Sequence, residues 1–148
     1  MSKTSFNLLL ADDDEDDCMF FQQALEDLPF TAILQTVNDG EQLMNLLMAN
    51  TLKLPDVLFL DLNMPRKNGY QCLAEIKLND NLKKLPVIIY STSFNNEAAN
   101  LLYEEGAQHY IRKPGDFAVL KKVIFTALTV TTQNSSNQRS KDKFIIEV

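Results

Sequence analysis

Short apolar runs alternate with amphipathic stretches along most of the chain. Five apolar runs have the length and the residue types of β-strands, at residues 6–11, 31–37, 57–60, 87–90 and 109–111. The first, third and fourth runs lack polar alternation, which is typical of central strands in a parallel sheet that is covered on both faces. The pattern therefore predicts a sheet whose central strands are buried.

Helical periodicity fills the stretches between these runs. Its clearest series are Cys18, Phe21, Leu25 and Leu28 after the first run, and Leu120, Ile124 and Leu128 after the fifth. Shorter apolar pairs with the same spacing follow the other runs, and glycine or proline stands at each long break. The chain is therefore predicted to repeat a strand and a helix five times.

Five such units predict an α/β fold with a doubly wound sheet. A closed α/β barrel takes eight units, so a barrel is excluded. Parallel strands joined by right-handed helical crossovers instead form an open sheet with helices on both faces. We expect one domain over residues 1–130, with five parallel strands in the flavodoxin-like order 2-1-3-4-5 and five helices.

The composition changes after residue 130. Residues 131–143 are polar and show no periodicity, which is typical of a flexible tail. The last five residues, 144–148, are Phe-Ile-Ile-Glu-Val and have strand propensity. This short apolar segment either frays at the end of the chain or docks on a sheet edge or a partner, and the sequence leaves both alternatives open.

Charge and composition narrow the classes of partner. The chain has 20 acidic and 14 basic residues among 148, and a formal net charge of -6, so it lacks the surplus of Lys and Arg that binds nucleic acid. No apolar stretch is long enough to span a bilayer. Cys18 and Cys72 form no C-x-x-C pair, and both stand in apolar-periodic segments. We therefore expect a cytoplasmic protein whose partners include neither nucleic acid nor membrane.

Polar side chains stand where the predicted strands end. Asp12 and Asp13 follow the first strand, Asp61 the third, Ser91 the fourth and Lys113 the fifth. Ligands of an open α/β sheet bind at this edge, and the first and third strands are expected to be neighbours. Their carboxylates would repel one another by about 4 kcal/mol per close pair at an effective dielectric of 20. A hard divalent cation would relieve this repulsion, and an oxygen-only ligand set favours Mg2+ over Zn2+.

Each of these residues also has an ordinary structural interpretation. An acidic run such as residues 12–17 is often a solvated helix start that favours the helix dipole, and residues 14–17 are expected to have only that role. Ser91 alone could cap a helix, and Lys113 alone could lie on the surface. The coincidence of acids, a hydroxyl and a lysine at equivalent strand ends favours a functional site.

Four segments make the pattern more specific. They are residues 9–14 (LLADDD), 60–65 (LDLNMP) followed by Gly69, 86–92 (PVIIYST) and 110–114 (YIRKP). In order and spacing they resemble the receiver domain of two-component response regulators, in particular the single-domain type found in chemotaxis and as partners of cyanobacterial phytochromes. Hydrolases of the haloacid-dehalogenase class are the nearest alternative, but they need a second Asp two residues after the nucleophile, where this chain has Asn63.

The resemblance implies a phospho-acceptor and a metal site. Asp61 would attack the phosphorus of a phosphohistidine on a sensor histidine kinase. Mg2+ would be held by Asp13, by Asp61 and by the backbone carbonyl of Asn63, with Asp12 reaching the ion through water.

The resemblance also implies a switch. Lys113 and Ser91 would contact phosphoryl oxygens, and Tyr110 would enter the space that Ser91 and its loop vacate. The Lys113–Pro114 peptide bond is expected to be cis. The signal would leave through the face of the fourth helix, fifth strand and fifth helix, toward a downstream protein of unknown identity or a second copy in a homodimer.

The fifth helix adds a hint of such a partner. Apolar residues fall off its main stripe, at Val119, Val123, Phe125 and Val130. One core would leave part of this helix uncovered, so the pattern predicts a surface for a partner.

Three functions remain in competition at this point. The first is a signalling module, not an enzyme, with self-limited autophosphorylation and autodephosphorylation. A phosphorelay intermediate would use the same residues and pass the group to a second histidine. A Mg-dependent phosphohydrolase is disfavoured because the cluster lacks a general acid, and the single histidine, His109, is expected to pack at the fifth strand.

Overall fold

The computed structural model describes residues 5–133 and 140–147, and within them five strands alternate with five α-helices. The strands are β1 Ser5–Ala11, β2 Thr31–Val37, β3 Val57–Leu60, β4 Val87–Ser91 and β5 His109–Arg112. The helices are α1 Glu15–Glu26, α2 Gly40–Ala49, α3 Gly69–Leu78, α4 Asn96–Glu105 and α5 Phe117–Gln133. The predicted alternation of strands and helices is confirmed.

The strands form one parallel sheet in the order β2-β1-β3-β4-β5, which confirms the predicted topology. Strands β3 and β4 are buried along their whole length, as their continuous apolar sequences indicate. Strand β2 lies at one edge and alternates between more and less exposed residues. The chain order reverses between β1 and β3, so the carboxyl ends of these two strands lie side by side.

Two apolar clusters cover the two faces of the sheet. Successive residues of a strand point to opposite faces, so Leu58 and Leu60 pack with α2, α3 and α4, whereas Val57 and Phe59 pack with α1 and α5. The periodic residues of α5 are buried in the second cluster, as their spacing predicts. This double cover leaves the ends of the strands as the places where polar side chains can gather.

Most of the second apolar face of α5 is covered by the chain itself. Val123 is buried, Val119 and Val130 pack partly buried against the cluster of α1 and α5, and Phe125 stacks on Phe30 with ring centroids 5.4 Å apart. Of the four residues outside the main stripe, Phe125 is the most exposed, at 41%. Residues of the same chain, Phe30 among them, therefore supply most of the cover, and Phe125 is left partly exposed, so a partner surface on this helix stays a prediction.

The C-terminal residues return to the free edge of β5. Ile145 forms a parallel bridge with Tyr110, whose amide donates to the Phe144 carbonyl at 2.9 Å and whose carbonyl accepts from the Ile146 amide at 3.0 Å. Phe144 and Ile146 are buried. His109, buried in β5 as expected, places Nδ1 3.1 Å from the Lys143 carbonyl oxygen. Of the two alternatives for the apolar segment, the structure shows docking on the sheet edge.

The stretch predicted to be a flexible tail, residues 131–143, has helical structure at both of the ends that the structure describes. Helix α5 continues to Gln133, and a short 3-10 helix spans Lys141–Lys143. The remainder of the predicted flexible stretch, residues 134–139, lies outside the described residues. No helix in the described ranges is long and apolar enough to cross a membrane.

Candidate functional site

Two carboxylates are placed side by side by the backbone pairing of β1 and β3. Asp12 follows β1, and its amide donates to the Val37 carbonyl at 3.0 Å; Asp61 follows β3, and its amide donates to the Ala11 carbonyl at 3.0 Å. Asp12 and Asp61 are both buried, whereas Asp13 is exposed. Carboxylate oxygens of Asp12, Asp13 and Asp61 lie within 4.8 Å of one another. The structure thus brings together the three acids that the sequence placed at this edge.

Lys113 reaches into the same cluster from the end of β5. Its amide donates to the Ser91 carbonyl at 2.8 Å, which ties the start of the following loop to β4. Its Nζ lies 2.7 Å from Asp12 Oδ2, 2.8 Å from Asp17 Oδ2 and 3.6 Å from Asp61 Oδ2, and the side chain is 8% exposed. The Lys113–Pro114 peptide bond is trans, so the expectation of a cis bond was wrong. The lysine enters the cluster from a trans backbone.

The protonation of the cluster follows from burial and from this single ammonium group. Burial raises the pKa of Asp61 to about 6, and the charge of Lys113 opposes that rise only in part. Burial also raises the pKa of Asp12, against the close ion pair with Lys113. Although burial lowers the pKa of Lys113, its ion pairs with Asp12 and Asp17 outweigh this effect and raise the pKa. The cluster is therefore short of positive charge, which a divalent cation would supply.

The loop after β4 connects the acids to Tyr110. Ser91 is buried, and its Oγ accepts a hydrogen bond from the Ser93 amide at 3.2 Å. Ser93 Oγ accepts from the Asn63 side-chain amide at 3.2 Å, and the Ser93 carbonyl accepts from the Tyr110 hydroxyl. Tyr110 is fully buried, with its ring edge against Phe94. A continuous set of hydrogen bonds thus runs from the loop beside Asp61 to β5.

The loop after β3 is held close to the sheet by Gly69. The Gly69 amide donates to the Leu62 carbonyl at 2.9 Å, and a Cβ at this position would collide with the backbone carbonyl of Asp61. Asn63 is exposed on this loop, and its amide lies 3.5 Å from Asp61 Oδ1. The assignment of its backbone carbonyl to a metal ion stays a prediction.

Asp17 is the site residue that the sequence analysis missed. Residues 14–17 were assigned to a helix start, and Asp14 has that role: it is the N-cap of α1 and accepts from the amides of Asp16 and Asp17. Asp17 also has a second role, because its carboxylate pairs with Lys113. The acidic run itself was visible in the sequence. Which of its members faces Lys113 depends on how α1 lies against the loop after β5.

The fold and this edge site together define a class of protein, the receiver domains that couple a phospho-acceptor aspartate to a lysine and a hydroxyl. Residues 8–125 match the family model described as the response regulator receiver domain, so the chain belongs to that family. Response regulator Rcp1 of Synechocystis sp. is 31% identical over 121 residues, which cover 79% of this chain and 82% of that protein.

Solved structures agree with this assignment. The Mn(2+)-bound form of Rcp1 has a TM-score of 0.76 and 28% identity, covering 87% of this chain and 96% of the other. The phosphorylated cyanobacterial phytochrome response regulator RcpA has a TM-score of 0.74 and 31% identity, and the match covers 88% of this chain and 96% of RcpA. Receiver domains are signalling modules that bind Mg2+ and interact with histidine kinases and downstream partners.

The residues of this chain fit a hard divalent cation. The three clustered acids offer oxygen ligands alone, and two of them are buried where their mutual repulsion is strong. A group that prefers nitrogen or sulfur ligands fits less well, because the cluster found among the described residues contains no His or Cys.

Proposed function

We propose that this chain is a single-domain response regulator that accepts a phosphoryl group from a sensor histidine kinase onto Asp61 and signals through a change of its surface. The observation that carries the proposal is the convergence of Asp61 with two further acids and with Lys113 at the carboxyl edge of the sheet. A cytoplasmic location belongs to the proposal, since the free thiols of Cys18 and Cys72 suit a reducing compartment.

Asp61 is the proposed nucleophile. One of its carboxylate oxygens forms a bond to phosphorus as the phosphorus–nitrogen bond of the kinase phosphohistidine breaks, and the electron pair of the broken bond stays on the histidine ring. Mg2+ held by Asp13, Asp61 and the Asn63 carbonyl, with Asp12 reaching it through water, would neutralise charge on the phosphoryl oxygens. The chain itself positions the carboxylate and limits its access to water.

Two side chains would hold the product. Lys113 Nζ lies 3.6 Å from Asp61 Oδ2, so a small displacement brings the ammonium to a phosphoryl oxygen. Ser91 would move to donate its hydroxyl to another phosphoryl oxygen, and this movement would lengthen the hydrogen bond that its Oγ now accepts from the Ser93 amide. Because the Ser93 carbonyl also accepts from Tyr110, the change at Asp61 is passed on to β5.

The proposed output surface is the face formed by α4, β5 and α5. Tyr110 lies beneath it, and residues 144–146 already occupy its strand edge. A downstream protein, or a second copy in a homodimer, would dock on this face by covering or displacing that segment. Phosphorylation would then change binding by altering how Tyr110 and its neighbours pack.

Neither alternative function is favoured by a specific contact. A phosphorelay intermediate would use the same residues, and its partner alone would differ. For a phosphohydrolase, the position of the second acid is Asn63, whose amide is hydrogen-bonded to Ser93 Oγ. This residue cannot act as a general acid, so sustained turnover of phosphate esters is not expected.

The proposal is tested by phosphorylation with acetyl phosphate and Mg2+, followed by intact-mass measurement. The wild-type chain should gain one phosphoryl group, and Asp61→Asn should gain none, because the amide lacks the nucleophilic oxygen. Asp80→Asn is the matched control, since the Asp80 side chain is exposed and pairs with Lys83 on the surface. Equal labelling of the Asp61→Asn variant would exclude Asp61 as the acceptor.

A further inference from the structure

The Lys113 ammonium group is shared among three carboxylates, and Asp61 is the most distant of them. Two hydrogen-bonding distances, 2.7 Å to Asp12 and 2.8 Å to Asp17, hold Nζ, whereas 3.6 Å separates it from Asp61. We infer that Asp17 is a positioning residue that holds Lys113 in a resting place away from the phospho-acceptor. The inference rests on the proposed function.

Asp17 is fixed where it can perform this role. It stands in the first turn of α1, and the N-cap side chain of Asp14 accepts from its amide at 3.2 Å. Its backbone therefore has a defined position relative to β1, whose end precedes the helix, and its carboxylate reaches Lys113 from there. Lys113 belongs to a different element, the loop after β5, so the pair connects two segments that are 96 residues apart in sequence.

The two resting partners of Lys113 differ in what their release requires. Asp12 is fully buried, so bulk water cannot take the place of the ammonium group beside its Oδ2. The Asp17 side chain is 34% exposed, so water can replace the lysine there. When a phosphoryl group on Asp61 attracts the ammonium, the contact with Asp17 is the one that breaks.

Asp17 consequently biases the switch toward its unphosphorylated state. The free energy needed to break the contact between Lys113 and Asp17 offsets part of the attraction between Lys113 and the phosphoryl group. Removing the carboxylate should free the lysine and strengthen binding of a phosphoryl mimic, although it also removes a contact between α1 and the loop after β5. A purely structural role predicts the opposite balance, with lower stability and unchanged affinity for the mimic.

The test is a titration of the full chain with beryllofluoride in saturating Mg2+, combined with thermal unfolding of each variant. Asp17→Asn should bind beryllofluoride about threefold more tightly than wild type, the effect of a partly exposed ion pair. Asp17→Glu keeps the charge and should return toward the wild-type affinity. Asp16→Asn is the matched control, because it removes the same charge from the exposed side of the same turn.

Two outcomes would overturn the inference. If Asp17→Asn binds beryllofluoride no more tightly than Asp16→Asn, the effect is general electrostatics or absent, and Asp17 has no positioning role. If wild type shows no Mg2+-dependent binding of beryllofluoride, the proposed function fails and the inference fails with it. The first outcome leaves wild-type binding intact, so the two failures are distinguishable.

Discussion

At the scale of single residues, the site combines buried carboxylates with too little positive charge to compensate them. Asp12 and Asp61 are buried, Asp13 and Asp17 lie at the margin, and Lys113 is the ammonium group that pairs with this cluster. Burying a carboxylate costs free energy unless the charge is compensated. The raised pKa of Asp61 expresses the uncompensated part of that cost. The same shortage of positive charge attracts a cation or a proton to this edge.

This balance predicts a pH-dependent cost of keeping Asp61 charged. Its pKa of about 6 lies above its ordinary value of 3.8, so the folded state binds the proton more tightly than the unfolded state does. The resulting stabilisation is complete below pH 4 and is lost as the pH rises through 6. The Asp61→Asn variant has no charge to bury and should avoid this loss. In EDTA, which removes divalent cations, its free energy of unfolding should exceed that of wild type by about 2 kcal/mol at pH 8, but not at pH 4.

Urea unfolding of both proteins at pH 4 and pH 8 measures that difference. Asp80→Asn again serves as the control, since it removes an exposed carboxylate outside the cluster. An advantage of Asp61→Asn that does not change between the two pH values would show that burial of the Asp61 charge is not its cause.

At the scale of elements, the terminal segment completes the edge of the sheet. Phe144 packs edge-on against Tyr103 at 5.3 Å, and Ile146 joins the cluster on the opposite face of the sheet. The segment therefore spans the β5 edge and contacts both halves of the core. An uncovered strand edge exposes unpaired backbone groups and favours association between chains, so this cover also protects against aggregation.

Removing the segment should destabilise the domain and expose β5. A chain that ends at residue 133 loses the buried Phe144 and Ile146. In the full chain, Phe144→Ala should lower the free energy of unfolding by about 1–3 kcal/mol, because the segment can come off β5 before the rest of the domain unfolds. Hydrogen exchange supplies a specific readout, because the Tyr110 amide loses its acceptor, the Phe144 carbonyl. Unchanged protection of that amide in the shortened chain would contradict the docked arrangement. Glu147→Ala, at an exposed position, is the control.

The sequence predicts elements better than it predicts contacts between them. The order of strands and the placement of Asp12, Asp13 and Asp61 follow from local periodicity and from rules for parallel sheets. The pairing of Asp17 with Lys113 does not, because it depends on the exact rotation of α1. The docking of residues 144–146 depends on pairing with the distant Tyr110 and on the burial of Phe144 and Ile146, and strand propensity alone gives no partner for the segment. The extent of α5 to Gln133 also lies beyond local apolar periodicity, since residues 131–133 are polar.

At the scale of the whole molecule, the acidic edge couples cation binding to global stability. The chain carries a formal net charge of -6, and three of its acids converge at one point of the fold. The unfolded chain has no such arrangement, so an ion that binds the cluster stabilises the folded state. Phosphate-independent binding of Mg2+ should therefore be visible in unfolding of the entire domain.

Mg2+ should raise the melting temperature until the site is saturated, following RT ln(1 + [L]/Kd). Asp13→Ala should strongly reduce this rise, because it removes a proposed ligand that is exposed and leaves the buried pair Asp12 and Asp61 in place. Asp80→Ala should retain the full rise. Thermal unfolding at increasing Mg2+ concentration compares the three proteins, and an undiminished rise for Asp13→Ala would refute the proposed ligand set.

The docked aromatic ring of Phe144 has a practical consequence for spectroscopy. The chain contains no tryptophan, so Phe144→Trp would give it a single indole fluorophore, placed between Tyr103 and Tyr110. Both tyrosines could transfer excitation energy to it while the segment stays docked. Release into water would shift the emission to longer wavelength and end the transfer, so one substitution would turn the end of the chain into an optical reporter of what happens at β5.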